Sequence, residues 1–292
     1  MRNVGERLTE TLFQIAEGLH PGGTTRSLVP AAVMHLKRLR ADTLADLTGF
    51  PSVLCASRNN VAAHGVPDDE PLEEGDLVTL DLAARIDGWW GDVAWTFVIG
   101  ESAPGQSSAG AGGSAGAAGA PSTDALRSTR SPGSAPRSGP TRPEGRLAQA
   151  TRVRTAAWQA CCEAVNCCNP GARIGDLAAA MAEAAHRHGC DIVPDFAGHG
   201  IGRGLHEPPA VTPRGLPGLG SRLIPGMVVT VEPVVVAGDC RVDTLNDGWT
   251  YVTRDGSLAA QFEVMVYVHG QGHETISFPR SRGVFPPSAP VP

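Results

Sequence analysis

Three apolar segments of this chain carry carboxylates inside runs that otherwise have the composition of buried β-strands. They are "LVTLDLAARIDGWWGDVAWTF" at 77–97, "GMVVTVEPVVV" at 226–236 and "AAQFEVMVYV" at 259–268. An ionised carboxylate that is left unpaired in an apolar environment costs several kcal/mol. The chain must therefore fold so that these strands bring their acids to a group that neutralises them.

The first segment predicts a β-hairpin with a definite register. Asp87-Gly88 between two β-rich runs is a strong signal for a two-residue turn. With that turn Asp92 faces Ala83, and Asp81 lies two residues along the same face. The two acids then become diagonal neighbours, about 7–8 Å apart at the backbone, a separation that suits shared metal ions. The alternative is that both acids are solvated strand-end residues.

The other two segments repeat the pattern with Glu232 and Glu263, and either acid alone would be taken for an edge-strand residue. His199 adds an imidazole in the glycine-rich stretch "GHGIGRGLHEPP" at 198–209. Divalent metals neutralise gathered carboxylates and gain oxygen ligands. Four carboxylates and one histidine suffice for two ions when carboxylates bridge ions about 3.5–4 Å apart.

The same glycine-rich stretch is not a nucleotide-binding loop. A dinucleotide fingerprint needs G-x-G-x-x-G, and the third position is Arg203 when counted from Gly198 and Leu205 when counted from Gly200. No lysine follows these glycines, as a phosphate-binding P-loop requires. The glycines are interpreted instead as residues that let the backbone turn tightly beside His199.

Composition limits the environment of the protein. The net charge of the 292 residues is -6, which argues against binding to nucleic acid or to an anionic membrane. No apolar run is long enough to span a membrane, and the N-terminal stretch lacks the apolar core of a secretory signal. Seven cysteines in such a chain indicate reduced thiols, so we expect a cytoplasmic protein.

Four of the cysteines form the pattern C-C-x4-C-C at 161–168, within or at the end of a predicted helix. Structural zinc sites favour C-x2-C pairs instead, and adjacent cysteines rarely reach one ion. Free thiols are therefore the favoured interpretation, with metal binding as the alternative.

The remaining chain predicts an α+β fold, because neighbouring strand segments follow one another through turns and favour antiparallel pairing. Residues 101–145 consist mostly of Gly, Ala, Ser and Pro and predict a disordered insertion, and 279–292 predicts a disordered tail. Residues 1–100 and 146–278 then form a single catalytic domain. Helices are expected near 2–19, 26–40, 146–167 and 174–189, and strands near 53–57, 77–86, 89–99, 227–236 and 259–268.

Taken together, these motifs resemble the type I methionine aminopeptidases, whose pita-bread fold has two pseudo-symmetric α+β halves with antiparallel sheets flanked by helices. The resemblance rests on "NNVAAHGVPDD" at 59–69, "LDLAARIDGWWGDVAWTFVIG" at 80–100, "GHGIGRGLHEPP", "IPGMVVTVEP" at 224–233 and "DGWTYVTRDGSLAAQFE" at 247–263. It covers nearly the whole chain apart from the insertion and the tail.

The resemblance implies a metal-dependent hydrolase that removes N-terminal methionine from nascent or short peptides with a small second residue. Asp81 would bind one divalent ion (Co, Mn, Fe or Zn), Asp92 and Glu263 would bridge two, and His199 and Glu232 would bind the other. A bridging water or hydroxide would attack the peptide carbonyl.

It also implies the roles of residues that contact the substrate. Glu232 would accept a proton, His206 would bond the scissile amide, and His64 would help stabilise the tetrahedral intermediate. The methionine side chain would bind in an apolar pocket, in which Leu205 and Phe50 replace the Phe and Tyr expected in the family. The pocket residues would be Phe50, Cys55, Leu205 and Trp249.

Two other functions stay open at this point. A prolidase or Xaa-Pro aminopeptidase shares the fold but usually has an additional N-terminal domain, for which the short lead before the first predicted helix leaves no room. A non-catalytic binding protein on this fold typically loses metal ligands, whereas all five are present here. The expected partners are peptides that begin with Met, and the expected state is a monomer. The insertion is interpreted as a linker, with transient contact to ribosomal RNA through its arginines as the alternative.

Overall fold

The computed structural model describes residues 1–100 and 145–278. Its helices are α1 (Arg2–Ala16), α2 (Val29–Leu39, after a 3-10 turn at Arg26–Leu28), α3 (Leu44–Thr48), α4 (Arg146–Asn166) and α5 (Ile174–Arg187). Its strands are β1 (Asp42–Thr43), β2 (Cys55–Arg58), β3 (Val61–Ala63), β4 (Leu77–Ile86), β5 (Trp89–Val98), β6 (Asp191–Ile192), β7 (Gly198–Gly200), β8 (Glu207–Val211), β9 (Val228–Val231), β10 (Val234–Val236), β11 (Val242–Thr244), β12 (Tyr251–Thr253), β13 (Ala259–Gln261), β14 (Val264–His269) and β15 (Gly272–Thr275).

The sheets are antiparallel, as expected from the sequence. In the first sheet β4 pairs with β1, β2 and β5, and the largest sheet has the order β15-β14-β9-β7-β8. Two three-stranded sheets have the orders β13-β10-β6 and β11-β12-β3. Helices α1 and α4 both contact β5, so the α+β class predicted from the sequence is confirmed.

Two predicted strands are each broken at their acid, and the sequence prediction was wrong on this point. The segment 227–236 divides into β9 and β10 around Glu232 and Pro233, because proline has no N–H with which to continue the ladder. The segment 259–268 divides into β13 and β14, and the backbone N–H of Glu263 donates instead to the carbonyl of Ala94 on β5 (2.8 Å). Both acids therefore lie where the chain passes from one sheet to another.

An aromatic cluster fixes β5 against α4 and the segment before β14. The ring of Trp95 lies 5.0 Å from that of Phe262 and 5.1 Å from that of Trp158, and Phe262 and Trp158 are 5.1 Å apart. Trp95 is three residues from Asp92, and Phe262 directly precedes Glu263. Because closely packed aromatic rings tolerate little displacement, the cluster restricts the separation of the two acids.

The cysteines of the described chain are free thiols, and burial raises the pKa of Cys161, Cys162 and Cys168. No helix within 1–100 or 145–278 combines the length and the hydropathy of a membrane span. The single catalytic domain stays a prediction. The predicted insertion, apart from Gly145, and the predicted tail lie outside the described residues.

Candidate metal centre

The β4–β5 hairpin has the register predicted from the sequence. Ala83 pairs with Asp92, and Asp81 pairs with Ala94. Asp87 and Gly88 have φ values of 54° and 77°, the left-handed conformation that a two-residue hairpin turn requires at both positions. The turn chemistry therefore sets which face of the hairpin carries the two aspartates.

Ala94 leaves room for three carboxylates to converge. It pairs with Asp81 on one side and forms a β-bridge with Glu263 on the other. Residues paired across strands share a face, so Asp81, Ala94 and Glu263 lie on one face. Asp92 lies on the same face, because it is two residues from Ala94 on β5. Ala94 is fully buried, and its methyl group is small enough for the acids on either side to approach one another.

His199 enters the cluster from β7, between two glycines that the packing requires. A Cβ atom on Gly198 would lie 2.5 Å from the carbonyl oxygen of Thr230, and one on Gly200 would lie 2.3 Å from that of Pro208. The Nδ1 of His199 donates to the carbonyl of Gly200 (3.0 Å). This bond places the proton on Nδ1 and leaves the lone pair of Nε2 free to bind a metal.

The free nitrogen of His199 faces two of the predicted ligands. Nε2 lies 3.6 Å from Oε1 of Glu232 and 3.9 Å from Oδ2 of Asp92. One ligand atom from each of Asp92, His199 and Glu263 lies within 4.8 Å of the others, the one such group of three found in the described part of the chain. The structure thus brings three of the predicted ligands together. Within the ranges that the structure describes, none of the four cysteines at 161–168 belongs to such a group of possible metal ligands.

Burial and mutual repulsion disfavour the charged forms of the acids. Burial raises the pKa of Asp81 to about 7 and that of Glu232 to about 8. The pKa values of Asp92 and Glu263 are raised well above the ordinary range, first by burial and then by the neighbouring carboxylates. Burial lowers the pKa of His199 to about 4, so its imidazole is neutral, the form that binds metals.

The donor set fits divalent metal ions. Oδ1 of Asp92 and Oε1 of Glu263 are buried and have no hydrogen-bond partner among the described residues. Buried polar atoms are nearly always bonded, so two such carboxylate oxygens in a cluster that includes a neutral imidazole fit a cation-binding site. Carboxylates with an imidazole suit Mn, Fe, Co and Zn.

Of the two predicted substrate histidines, His206 lies beside the cluster. The ring of His206 is 4.4 Å from that of His199, and the side chain is exposed. His64 is also exposed, with its ring edge-on to Phe196 and Tyr251 at 5.8 and 5.7 Å. His64 has a φ of 52°, a strained conformation for a residue other than glycine and one that recurs at functional sites.

The predicted pocket residues lie in more than one cluster. Phe50 and Trp249 pack edge-on at 5.4 Å, and buried Cys55 pairs across the sheet with Asp81. Leu205 is buried in a separate cluster with Ala83, Trp90, Ile201, Met265 and Ile276. A common methionine pocket formed by these residues stays a prediction.

Two residues that hold Glu232 were not predicted from the sequence. The hydroxyl of Thr230 donates to Oε1 of Glu232 (2.8 Å), and the amide of Gln261 reaches Oε2 (3.5 Å). Thr230 precedes the acid by two positions in a strand, so the period-two pattern already placed both side chains on one face. Gln261 gave no such signal, because the strand break before Glu263 was not predicted.

Comparison with known proteins extends over almost the whole chain. Residues 1–109 and 138–270 match the model of metallopeptidase family M24. The methionine aminopeptidase of Rickettsia prowazekii is 32% identical over 98% of this chain and 95% of its own. That of Clostridium perfringens is 31% identical over 95% of this chain and 94% of its own.

Solved structures give the same result for the fold. The crystal structure of the Rickettsia prowazekii methionine aminopeptidase superposes with a TM-score of 0.77 at 30% identity, covering 95% of both chains. A prolidase from Pyrococcus furiosus superposes with a TM-score of 0.61 at 17% identity over 62% of its chain, which shows the shared fold alone. The pita-bread architecture expected from the sequence is confirmed, and the chain belongs to metallopeptidase family M24, a family of metal-dependent hydrolases.

Proposed function

We propose that this protein removes the N-terminal methionine from peptides whose second residue is small, using two divalent ions. The observation that carries the proposal is the buried cluster of acids around a neutral imidazole, with two carboxylate oxygens that have no partner within residues 1–100 and 145–278. Similarity to methionine aminopeptidases over nearly the full length of the chain supports the substrate class.

The ligands would be the five residues that the sequence predicted. Asp81 would hold one ion, His199 and Glu232 the other, and Asp92 and Glu263 would bridge the two. When bound, divalent ions lower the pKa of water to near neutrality and polarise a carbonyl oxygen. The metal identity would be Co, Mn, Fe or Zn, since mixed imidazole and carboxylate ligands suit all four.

The protein's own residues would orient the peptide and move the proton. Oε1 of Glu232 faces His199 and accepts from Thr230, and Oε2, which lies 3.5 Å from the amide of Gln261, would take the proton released by water. His206 would bond the scissile amide, and His64 would stabilise charge on the tetrahedral intermediate. Phe50, Cys55, Leu205 and Trp249 would enclose the methionine side chain.

The site also suggests why the second residue must be small. The rings of His64 and His206 are exposed, and that of His206 lies beside His199. The second residue of a bound peptide would lie against these rings, and a bulky side chain there would collide with them. We therefore place the selectivity for small residues at these two histidines.

The remaining features of the proposal concern the cell. Free thiols throughout the described chain support a location in the cytoplasm, and a net charge of -6 supports a monomer. The substrates there would be nascent chains. Residues 101–145 would act as a linker, with transient contact between its arginines and the ribosome as the alternative.

The test is the release of free methionine from Met-Ala-Ser and from Met-Lys-Ser, after metal has been stripped and Co or Mn restored. We expect metal-dependent cleavage of Met-Ala-Ser and little cleavage of Met-Lys-Ser. Folded, metal-loaded protein that releases no methionine from either peptide would contradict the proposal and favour a non-catalytic binding protein. Preferential cleavage of a peptide with proline in the second position would instead indicate an Xaa-Pro aminopeptidase.

A further inference from the structure

The side chain of Thr230 joins two of the proposed ligands. Thr230 lies on β9 and is fully buried. Its Oγ1 accepts a hydrogen bond from the backbone N–H of His199 (2.9 Å) and donates to Oε1 of Glu232 (2.8 Å). A single hydroxyl therefore ties the strand that carries the histidine to the carboxylate of the glutamate.

The direction of both bonds follows from the chemistry of the partners. A backbone N–H only donates, and Glu232, which must be ionised to bind a metal, then only accepts. A hydroxyl has one proton, so the proton of Thr230 points at Glu232 while its lone pair receives the proton of His199 N. The orientation of the hydroxyl is thereby fixed, and Oε1 of Glu232 is held toward Nε2 of His199, 3.6 Å away.

The sheet makes this arrangement rigid. In the largest sheet β9 lies between β7, which carries His199, and β14, which begins one residue after Glu263. The methyl group of Thr230 is enclosed with the rest of the side chain, so few rotamers are open to it. The hydroxyl is therefore preorganised before any ligand binds.

We propose that Thr230 is a positioning residue, which orients Glu232 for metal binding and proton transfer through this hydroxyl. The inference rests on the proposed function of the site, and it adds a residue that contacts neither metal nor peptide. Partners that orient metal ligands typically affect affinity or activity by about 10–100-fold.

The experiment compares four variants that separate the hydroxyl from the shape of the side chain. Thr230→Val keeps the shape and removes the hydroxyl, whereas Thr230→Ser keeps the hydroxyl and removes a methyl group. Thr275→Val is the matched control, because Thr275 is a buried strand threonine whose hydroxyl has no partner among the described residues. Thr230→Ala differs from Thr230→Ser only by the hydroxyl and serves if the valine variant does not fold.

Two readouts are needed: the dissociation constant for Co²⁺ by titration calorimetry, and kcat and KM for Met-Ala-Ser. We expect Thr230→Val to weaken Co²⁺ binding or lower kcat by about 10–100-fold, with KM changed little because the peptide is held by other residues. Thr230→Ser and Thr275→Val should stay within about threefold of the wild type.

The inference is overturned if folded Thr230→Val keeps both Co²⁺ affinity and kcat, or if Thr230→Ser is impaired as much as Thr230→Val. The calorimetric result also separates this inference from the proposed function. A wild type that binds Co²⁺ but cleaves nothing refutes the aminopeptidase activity, while the ratio of affinities between variants still tests the role of Thr230.

Discussion

Replacing Asp92 with asparagine should abolish hydrolysis and, at the same time, stabilise the metal-free protein. Asp92 is 7% exposed, and its Oδ1 has no partner among the described residues. Its ligand atom lies within 4.8 Å of one on Glu263, a separation at which two unit charges repel by about 3 kcal/mol at an effective dielectric constant of about 20. Asparagine has the same shape without the charge, and it keeps an oxygen that can accept a hydrogen bond.

The size of the stability change follows from that repulsion. Because burial raises the pKa of both acids, protonation already relieves part of the repulsion in the metal-free state. We therefore expect a gain of about 1–3 kcal/mol in the free energy of unfolding, or roughly 2–4 °C in Tm for each kcal/mol. Hydrolysis should fall by about three orders of magnitude or more, because a neutral amide is a poor bridging ligand for two ions.

The assay has two parts, carried out on stripped and on Co-loaded protein. Thermal unfolding gives the Tm of each form, and methionine release from Met-Ala-Ser gives the activity. Wild-type protein should gain stability on metal addition, and Asp92→Asn should gain less. A metal-free Asp92→Asn variant that is less stable than the wild type by more than about 1 kcal/mol would show that Asp92 is a structural hydrogen-bond acceptor and not a carboxylate under repulsion.

Three further predictions concern pH, the substrate histidine and the insertion. The pKa values of Asp81 (about 7) and Glu232 (about 8) are raised in the metal-free protein, so these acids contribute stability in acid that is lost as pH rises through these values. The free energy of unfolding, measured with denaturant, should therefore decline between about pH 5 and 8. Glu232→Gln should reduce this decline. A flat profile would contradict the burial of these acids. His206→Ala should lower kcat for Met-Ala-Ser by about 10–100-fold while Co²⁺ affinity by calorimetry stays unchanged, and a matching loss of affinity would make His206 a metal ligand instead. Deleting 101–145 should leave turnover of Met-Ala-Ser within a few fold, because the two ends of the deletion are close. The backbone N–H of Gly75 donates to the carbonyl of Ile99, and a Cβ atom on Gly75 would lie 3.5 Å from the backbone of Leu147. A large loss of turnover would show that the insertion serves the site.

The part of the site that the sequence predicted best is the β4–β5 hairpin. The Asp87-Gly88 turn admits one pairing of the flanking strands, and alternation then determines which side chains share a face. Local chemistry therefore sufficed to place Asp81 and Asp92. The glycines beside His199 were predicted for a tight turn, but Gly198 and Gly200 lie in β7 and are required by close contacts with the backbone of other segments.

The two strand breaks differ in what the sequence could show. Pro233 is a local signal for the break after Glu232, since proline cannot continue a central strand. The apolar pattern runs through Glu263 without interruption, and only the bridge between Glu263 and Ala94 reveals that the chain changes partner there. Short strands such as β7 and β12 were also overlooked, since three residues are too few to show a period. The contact between His64 and Tyr251 joins residues far apart in the chain and left no local signal.

The most direct test of the metal site is a titration of stripped protein with Co²⁺ or Mn²⁺, in which bound metal per chain and methionine release from Met-Ala-Ser are measured on the same samples. We expect no activity without metal, activity that rises as ions bind at this cluster, and loss of both metal binding and activity in His199→Ala. Full activity in verified metal-free protein, or unchanged metal binding and activity in His199→Ala, would refute a catalytic metal site at this cluster.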